Sequence, residues 1–173
     1  MKTLRLLLGD QLNSEHSWFD EVNPNVMYVM AEMRQETDYV KHHIQKVAAF
    51  FLSMRNFSEE LINKGHQVVY YKISDSNNPH NLEQLILDLV ENNKIEQFEY
   101  QFPDEYRLDE QLKSICEKLS IPKKAVDSEH FYTSRNELAD FFKRKKQLLM
   151  ESFYRMMRKK HDVLMVGDQP LDG

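Results

Sequence analysis

Glycine and proline are scarce in this chain, four of one and five of the other in 173 residues. So few breakers leave little room for flexible linkers and favour regular elements joined by short turns. Cysteine is scarcer still. Cys116 alone excludes an internal disulfide and a cysteine-ligated cluster built within this chain, and it suits a reducing cytoplasm. No apolar run approaches the roughly 18 residues that a membrane span needs. The first run, Leu6 to Leu8, meets Gly9 and Asp10 at once and is too short for a signal peptide. Positive charge is not in excess: the net charge is −5, so no global basic field marks a nucleic-acid binder. Phosphate loops of the GxGxxG or GxxxxGK[ST] type, the GxSxG elbow and the HExxH metal motif are all missing.

What is present is an ordinary globular composition, 41% hydrophobic and 29% charged, in a length that suits one domain with a full core. Leu4 to Leu8 has the unalternating apolar character of a strand covered on both faces. Val26–Ala31, Gln67–Ile73, Ile95–Tyr100 and Lys124–Asp127 read as further strands. Between them, apolar residues recur at steps of three and four. Val40, Ile44, Val47, Phe51, Met54, Ser58 and Leu61 form one face of a long helix, with Thr37 or Asp38 as its N-cap and Gly65 as its stop. Leu82–Val90 and Leu108–Leu119 supply two more helices, and 131–145 and 148–160 look helical. Trp18 and Phe19 are the anchors of an otherwise polar loop. Strands alternating with helices predict a doubly wound, Rossmann-like or flavodoxin-like α/β domain with a parallel five-stranded sheet of order 3-2-1-4-5.

That order places a switch-point crevice beyond the first and fourth strands. Gly9 permits close approach of backbone to a ligand, and Asp10 and Gln11 add a carboxylate and an amide. Glu32, at the end of the second strand, forms a wall. Glu36, Tyr39, His43 and Lys46 follow at spacings of three, four and three, on one helix face if the helix begins early enough. Acceptor carboxylates, an aromatic ring and an imidazole suit a planar heterocycle with N–H donors and hydroxyls. A solvated helix start explains the same residues. Glu105, Tyr106 and Arg107 border the crevice from the fourth-strand loop, or serve as a charged helix start. His42 and His43 point about 100° apart on a helix and do not chelate together. The basic runs 143–146 and 155–160 have Phe153 and Tyr154 between them, but Leu148, Leu149, Ser152, Phe153, Met156 and Met157 form an amphipathic stripe, and the segment reads as a core helix with a solvated basic face. The residues alone specify a ligand-binding α/β domain and leave its activity open.

Several segments, in order along nearly the whole chain, carry a resemblance. They are Leu8-Gly9-Asp10-Gln11-Leu12, Ala31 to Glu36 with Tyr39 to His43, Lys46 to Phe51, Met54 to Phe57, Glu105-Tyr106-Arg107, Met150 to Arg158 and Gly167-Asp168-Gln169-Pro170. Together they resemble the deoxyribodipyrimidine photolyase-related proteins, the iron–sulfur bacterial cryptochromes and six-four photolyases. The resemblance implies an antenna domain over residues 1–166, with 167–173 starting a linker. It implies a bound 6,7-dimethyl-8-ribityllumazine-type chromophore held by Gly9, Asp10, Gln11, Glu36, Tyr39 and His43, to which the crevice reading adds Glu32, Glu105 and Tyr106. Phe102 stands where the family often has an acid. FAD, a 4Fe-4S cluster and the DNA-lesion site are implied only for a C-terminal flavin domain of the same or another chain. This chain is then a truncated photolyase or a stand-alone antenna domain, not catalytic alone, reaching DNA only through that partner. The rival expectation is a ligand-free interaction module that docks on a flavin-containing partner through the helix at 148–160. A nucleotide-binding enzyme of flavodoxin-like fold is disfavoured by the absence of a phosphate loop.

Overall fold

The predicted runs become strands, some of them shorter than the run that encodes them. In the computed structural model, which describes residues 1–38 and 40–171, β1 (Thr3–Leu6), β2 (Val26–Ala31), β3 (Gln67–Tyr71), β4 (Gln97–Gln101) and β5 (Lys123–Val126) form one sheet. Its order is β3-β2-β1-β4-β5 and every pairing is parallel. The register places Thr3 opposite both Val26 and Gln97, so β1 is central. The expected fold class and strand order are those observed.

Packing divides the chain into two compact units, Met1–Ser128 and Glu129–Gly173. In the first, the sheet carries a core on each face. One face buries Leu4, Leu6, Val29, Phe98, Leu85, Ile86, Leu112 and Ile115, with α3 (Leu82–Asn92) and α4 (Tyr106–Lys118) above it. The other buries Leu7, Tyr28, Met30, Phe51, Met54, Phe57 and Leu61 beneath α2 (Ile44–Asn63). Trp18 and Phe19 pack into this second core as the loop anchors predicted. His16 fixes them in place. Its Nδ1 accepts from the Trp18 amide at 3.0 Å, so Nε2 carries the proton and donates to the Asp127 carbonyl at 2.9 Å. Arg5, an ion inside an apolar strand, is satisfied on the same face. Its guanidinium donates to Glu99 at 2.8 Å and to the Tyr28 hydroxyl at 3.0 Å, and its Cζ lies 4.7 Å from the centre of the Trp18 ring.

The long helix starts later than its spacing predicts. A four-residue helix, α1 (Gln35–Asp38), forms first, and α2 begins only at Ile44. Thr37 lies within α1, its hydroxyl bonded to the Arg34 carbonyl, rather than capping a helix. The cap of α2 is His43, which has extended backbone and accepts from the Gln45 amide on its own Nδ1 at 3.2 Å. At the far end Gly65, at φ +96°, ends α2 as predicted, in a conformation that a side chain would strain.

The second unit contains α5 (Glu137–Phe142), α6 (Met150–His161) and a two-stranded antiparallel hairpin of β6 (Met165–Val166) and β7 (Gln169–Pro170). The helix expected over 131–145 shrinks to α5, and Arg144 takes a positive φ just beyond it. Phe141, Phe142 and Phe153 form its aromatic nucleus, with Phe141 and Phe153 centroids 5.2 Å apart. The amphipathic stripe is only partly realised. Phe153 is buried and Met156 and Met157 are half-buried, but Leu148 and Leu149 are exposed ahead of the helix. Among the described residues no helix is long and apolar enough to cross a membrane.

Candidate functional site

The crevice predicted at the switch point exists. It is bounded below by Leu6, Leu7, Leu8 and Ala31, at the ends of β1 and β2. Phe50 and Met54 reach it from α2, Leu82 from the start of α3, and Glu105 and Leu108 from the start of α4. Gly9, Asp10, Met33 and Gln35 complete the lining. An apolar floor therefore meets a polar rim of Asp10, Gln35 and Glu105. Glu105 is also paired with Arg107 at 2.8 Å. The cavity measures about 100 Å³.

Gln11 holds the crevice in shape rather than lining it. The backbone turns tightly, with the Gln11 amide donating to the Leu8 carbonyl at 3.1 Å. The side chain Oε1 accepts from the Leu8 amide at 3.1 Å, and Nε2 donates to the carbonyls of Gln101 and Phe102. Both amide protons are spent on closing the β1 exit against the β4 exit, and the residue is buried. That clamp fixes where Gly9 and Asp10 point.

Glu32 is also placed in a network of its own. Its carboxylate is fully buried and accepts four donors: Arg55 Nε at 2.6 Å, Arg55 Nη2 at 3.0 Å, the Tyr70 hydroxyl at 2.8 Å and the Ile73 amide at 2.8 Å. Asn78 donates to its carbonyl. Burial by itself would raise the carboxyl pKa. The hydrogen bonds from Arg55, Ile73 and Tyr70 outweigh it and hold the pKa below the ordinary carboxylate range. Burial and the Glu32 charge push the Tyr70 hydroxyl well up, so it stays a donor. Glu32 thus ties β2 to α2 and to the end of β3.

Of the predicted site residues, Gly9, Asp10 and Glu105 come together in the crevice. Gln11 and Glu32 stand behind it as clamp and tie. His43 is an exposed helix cap, and Tyr106 is 76% exposed on the first turn of α4. His43 and Lys46 belong to α2 and its cap, whereas α1 ends at Asp38, so the single continuous helix expected over this stretch is two helices. Tyr39 and the side chain of Glu36 lie outside the described residues. Phe50, Met54, Gln35 and Leu82 were not predicted as lining. The available signal for Phe50 was an aromatic next to the α2 core stripe, opposite a glycine that ends a strand.

A family profile described as deoxyribodipyrimidine photo-lyase-related protein matches residues 5–173. The chain belongs to this family. It is also 32% identical over 174 aligned residues to a (6-4) photolyase of Agrobacterium fabrum (strain C58 / ATCC 33970), an alignment that covers 100% of this chain and 34% of that relative. The chain therefore spans about a third of the curated relative's length. Membership makes it a photolyase- or cryptochrome-like protein, with the family's segments laid out as a sheet, a switch-point crevice and a small helical unit.

Proposed function

We propose that this photolyase-related chain is a light-harvesting domain that binds a ribityllumazine-type chromophore and is not catalytic alone. The observation that carries the reading is the lining of the crevice. An apolar floor of strand ends, with Asp10, Gln35 and Glu105 at its rim, has the chemistry for a flat heterocycle carrying a polyol. Asp10 and Glu105 would accept from ring N–H or hydroxyl groups, and Glu36 is assigned the same role from the family segment that contains it. Gly9 admits a group close to the backbone, and Gln11 keeps the loop rigid. When bound, the lumazine supplies absorption and passes its excitation by dipole coupling to a flavin. The chain's residues therefore need only hold it in a fixed orientation. FAD, the 4Fe-4S cluster and contact with DNA are assigned to a flavin domain in the same or another chain, and the setting to the cytoplasm.

Titration of the purified chain with 6,7-dimethyl-8-ribityllumazine tests this. Saturable quenching or enhancement of lumazine fluorescence is expected, weakened at least tenfold by Asp10→Ala or Glu36→Ala. Binding that both variants leave unchanged would refute the site.

One observation favours a second reading, a module that docks on a flavin-containing partner without a ligand. Leu148, Leu149, Met150 and Tyr154 of the second unit are 68%, 57%, 56% and 54% exposed. Absence of any lumazine response, together with co-purification with a flavin domain that Leu149→Ser disrupts, would select it.

A further inference from the structure

The crevice has the right lining but too little room. A volume of about 100 Å³ falls below the roughly 300 Å³ at the lower end of small-molecule sites. The space is taken by Phe50. A methyl group placed on Gly9 would lie 2.3 Å from Phe50 Cζ, 2.8 Å from Phe50 Cε1 and 2.9 Å from Met54 Sδ. The glycine expected to admit a ligand thus receives an aromatic ring of the protein itself.

Three features make that ring movable. Phe50 is only half-buried, whereas its neighbour Phe51 is 6% exposed and anchors α2 in the core. The preceding turn of α2 is thinly packed: Ile44 is 73% exposed, and Gln45, Lys46, Ala48 and Ala49 are all exposed. The Glu32–Arg55 tie holds α2 one turn further on, independently of Phe50. A change of Phe50 rotamer toward this open side gives up the ring's own packing on the second core but leaves Phe51, Met54, Phe57 and Leu61 in place.

We infer that Phe50 is the residue that controls admission to the crevice: its ring is a plug seated on Gly9, and a flat aromatic ligand binds by taking the place of that ring. The inference rests on the chromophore reading for the identity of the ligand, but not for the existence of the plug. A ligand that replaces the plug inherits its close approach to the Gly9 backbone, next to Met54 Sδ. This restricts the site to thin, planar ring systems. Binding also costs the rotation of Phe50, which lowers apparent affinity by the fraction of time the plug is seated.

The test uses the full chain with Phe50→Leu and Phe50→Ala, each checked for native circular dichroism. Two probes are followed: stopped-flow binding of 6,7-dimethyl-8-ribityllumazine, and steady-state fluorescence of 8-anilinonaphthalene-1-sulfonate as a ligand-independent reporter of an opened apolar crevice. The plug predicts at least a tenfold faster lumazine association in Phe50→Ala and an intermediate rate in Phe50→Leu. It also predicts a severalfold rise in naphthalene fluorescence that Gly9→Val, added to Phe50→Ala, reverses. Unchanged fluorescence, or a rise that Gly9→Val does not reverse, overturns the plug. So does lumazine binding of equal rate and affinity in parent and variants, which leaves the chromophore reading standing. A reversible naphthalene response without lumazine binding to any form keeps the plug and removes the lumazine.

Discussion

The two ends of α2 are built differently. From Phe51 to Leu61 the helix turns Phe51, Met54, Phe57 and Leu61 into the core, and the half-buried Arg55 pairs with the buried carboxylate of Glu32. From Ile44 to Phe50 it is mostly exposed and held by the His43 cap. One end stabilises the fold, and the other ends in Phe50, which lines the crevice beside Met54. Freedom to move is found where few apolar contacts would be lost, which is where ligand sites tend to lie.

The sharpest way to break this contrast is at the buried end. Leu61→Ala removes a side chain with no exposure and is expected to cost about 4 kcal/mol in urea unfolding. A cost under about 1 kcal/mol would show that the dense end is not what holds α2.

Arg55→Met is expected to cost about 3 kcal/mol at pH 7, since it leaves the Glu32 carboxylate buried without its cation. The pH dependence has a definite sign. In the parent, Glu32 is depressed in the folded state, so its contribution is complete above the unfolded carboxyl value of about 4.3 and is lost as pH falls through the folded value. In the variant the unpaired buried carboxylate takes up a proton more readily than the unfolded chain does. Its deficit therefore shrinks on acidification. Parallel pH–stability curves would rule out the pair as the cause.

At the boundary between the two ends, Gly9→Ala drives a methyl group into the Phe50 ring and Met54. About 1–2 kcal/mol of destabilisation is expected. A double-mutant cycle should recover most of it when Phe50→Ala is present, as a shared contact requires. Additive effects would mean that Phe50 is not the group in the way.

The smallest effect belongs to the open end. Ile44→Ser alters a residue that is 73% exposed and should leave stability within about 0.5 kcal/mol. A larger loss would show that this turn is packed after all.

The same contrast separates what was legible in the sequence from what was not. The parallel, doubly wound sheet followed from apolar runs alternating with amphipathic helices, because burial on both sheet faces forces that pattern, and its order is the common one for such domains. The C-terminal stripe of α2 was legible for the same reason. Its N-terminal boundary was not. Val40 and Ile44 continue the spacing into a stretch where nothing lies opposite to bury them, and both are exposed. His43 then caps the helix with its imidazole, a role that residue type does not advertise.

Around the crevice, Gly9, Asp10 and Glu105 could be placed from chain order alone, since strand ends at a switch point must converge. Gln11 and Glu32 looked like ligand groups because an amide and a carboxylate at strand ends usually face outward. In the fold they are consumed, one by two carbonyls and an amide, the other by Arg55, Tyr70 and Ile73. Sequence pattern by itself determined the fold class, because that depends on which segments are apolar and at what period, and the common doubly wound order then set the position of the crevice. Tertiary structure decided which polar groups face that crevice and which ring fills it, because hydrogen bonds and contacts between residues far apart in the chain leave no periodic trace.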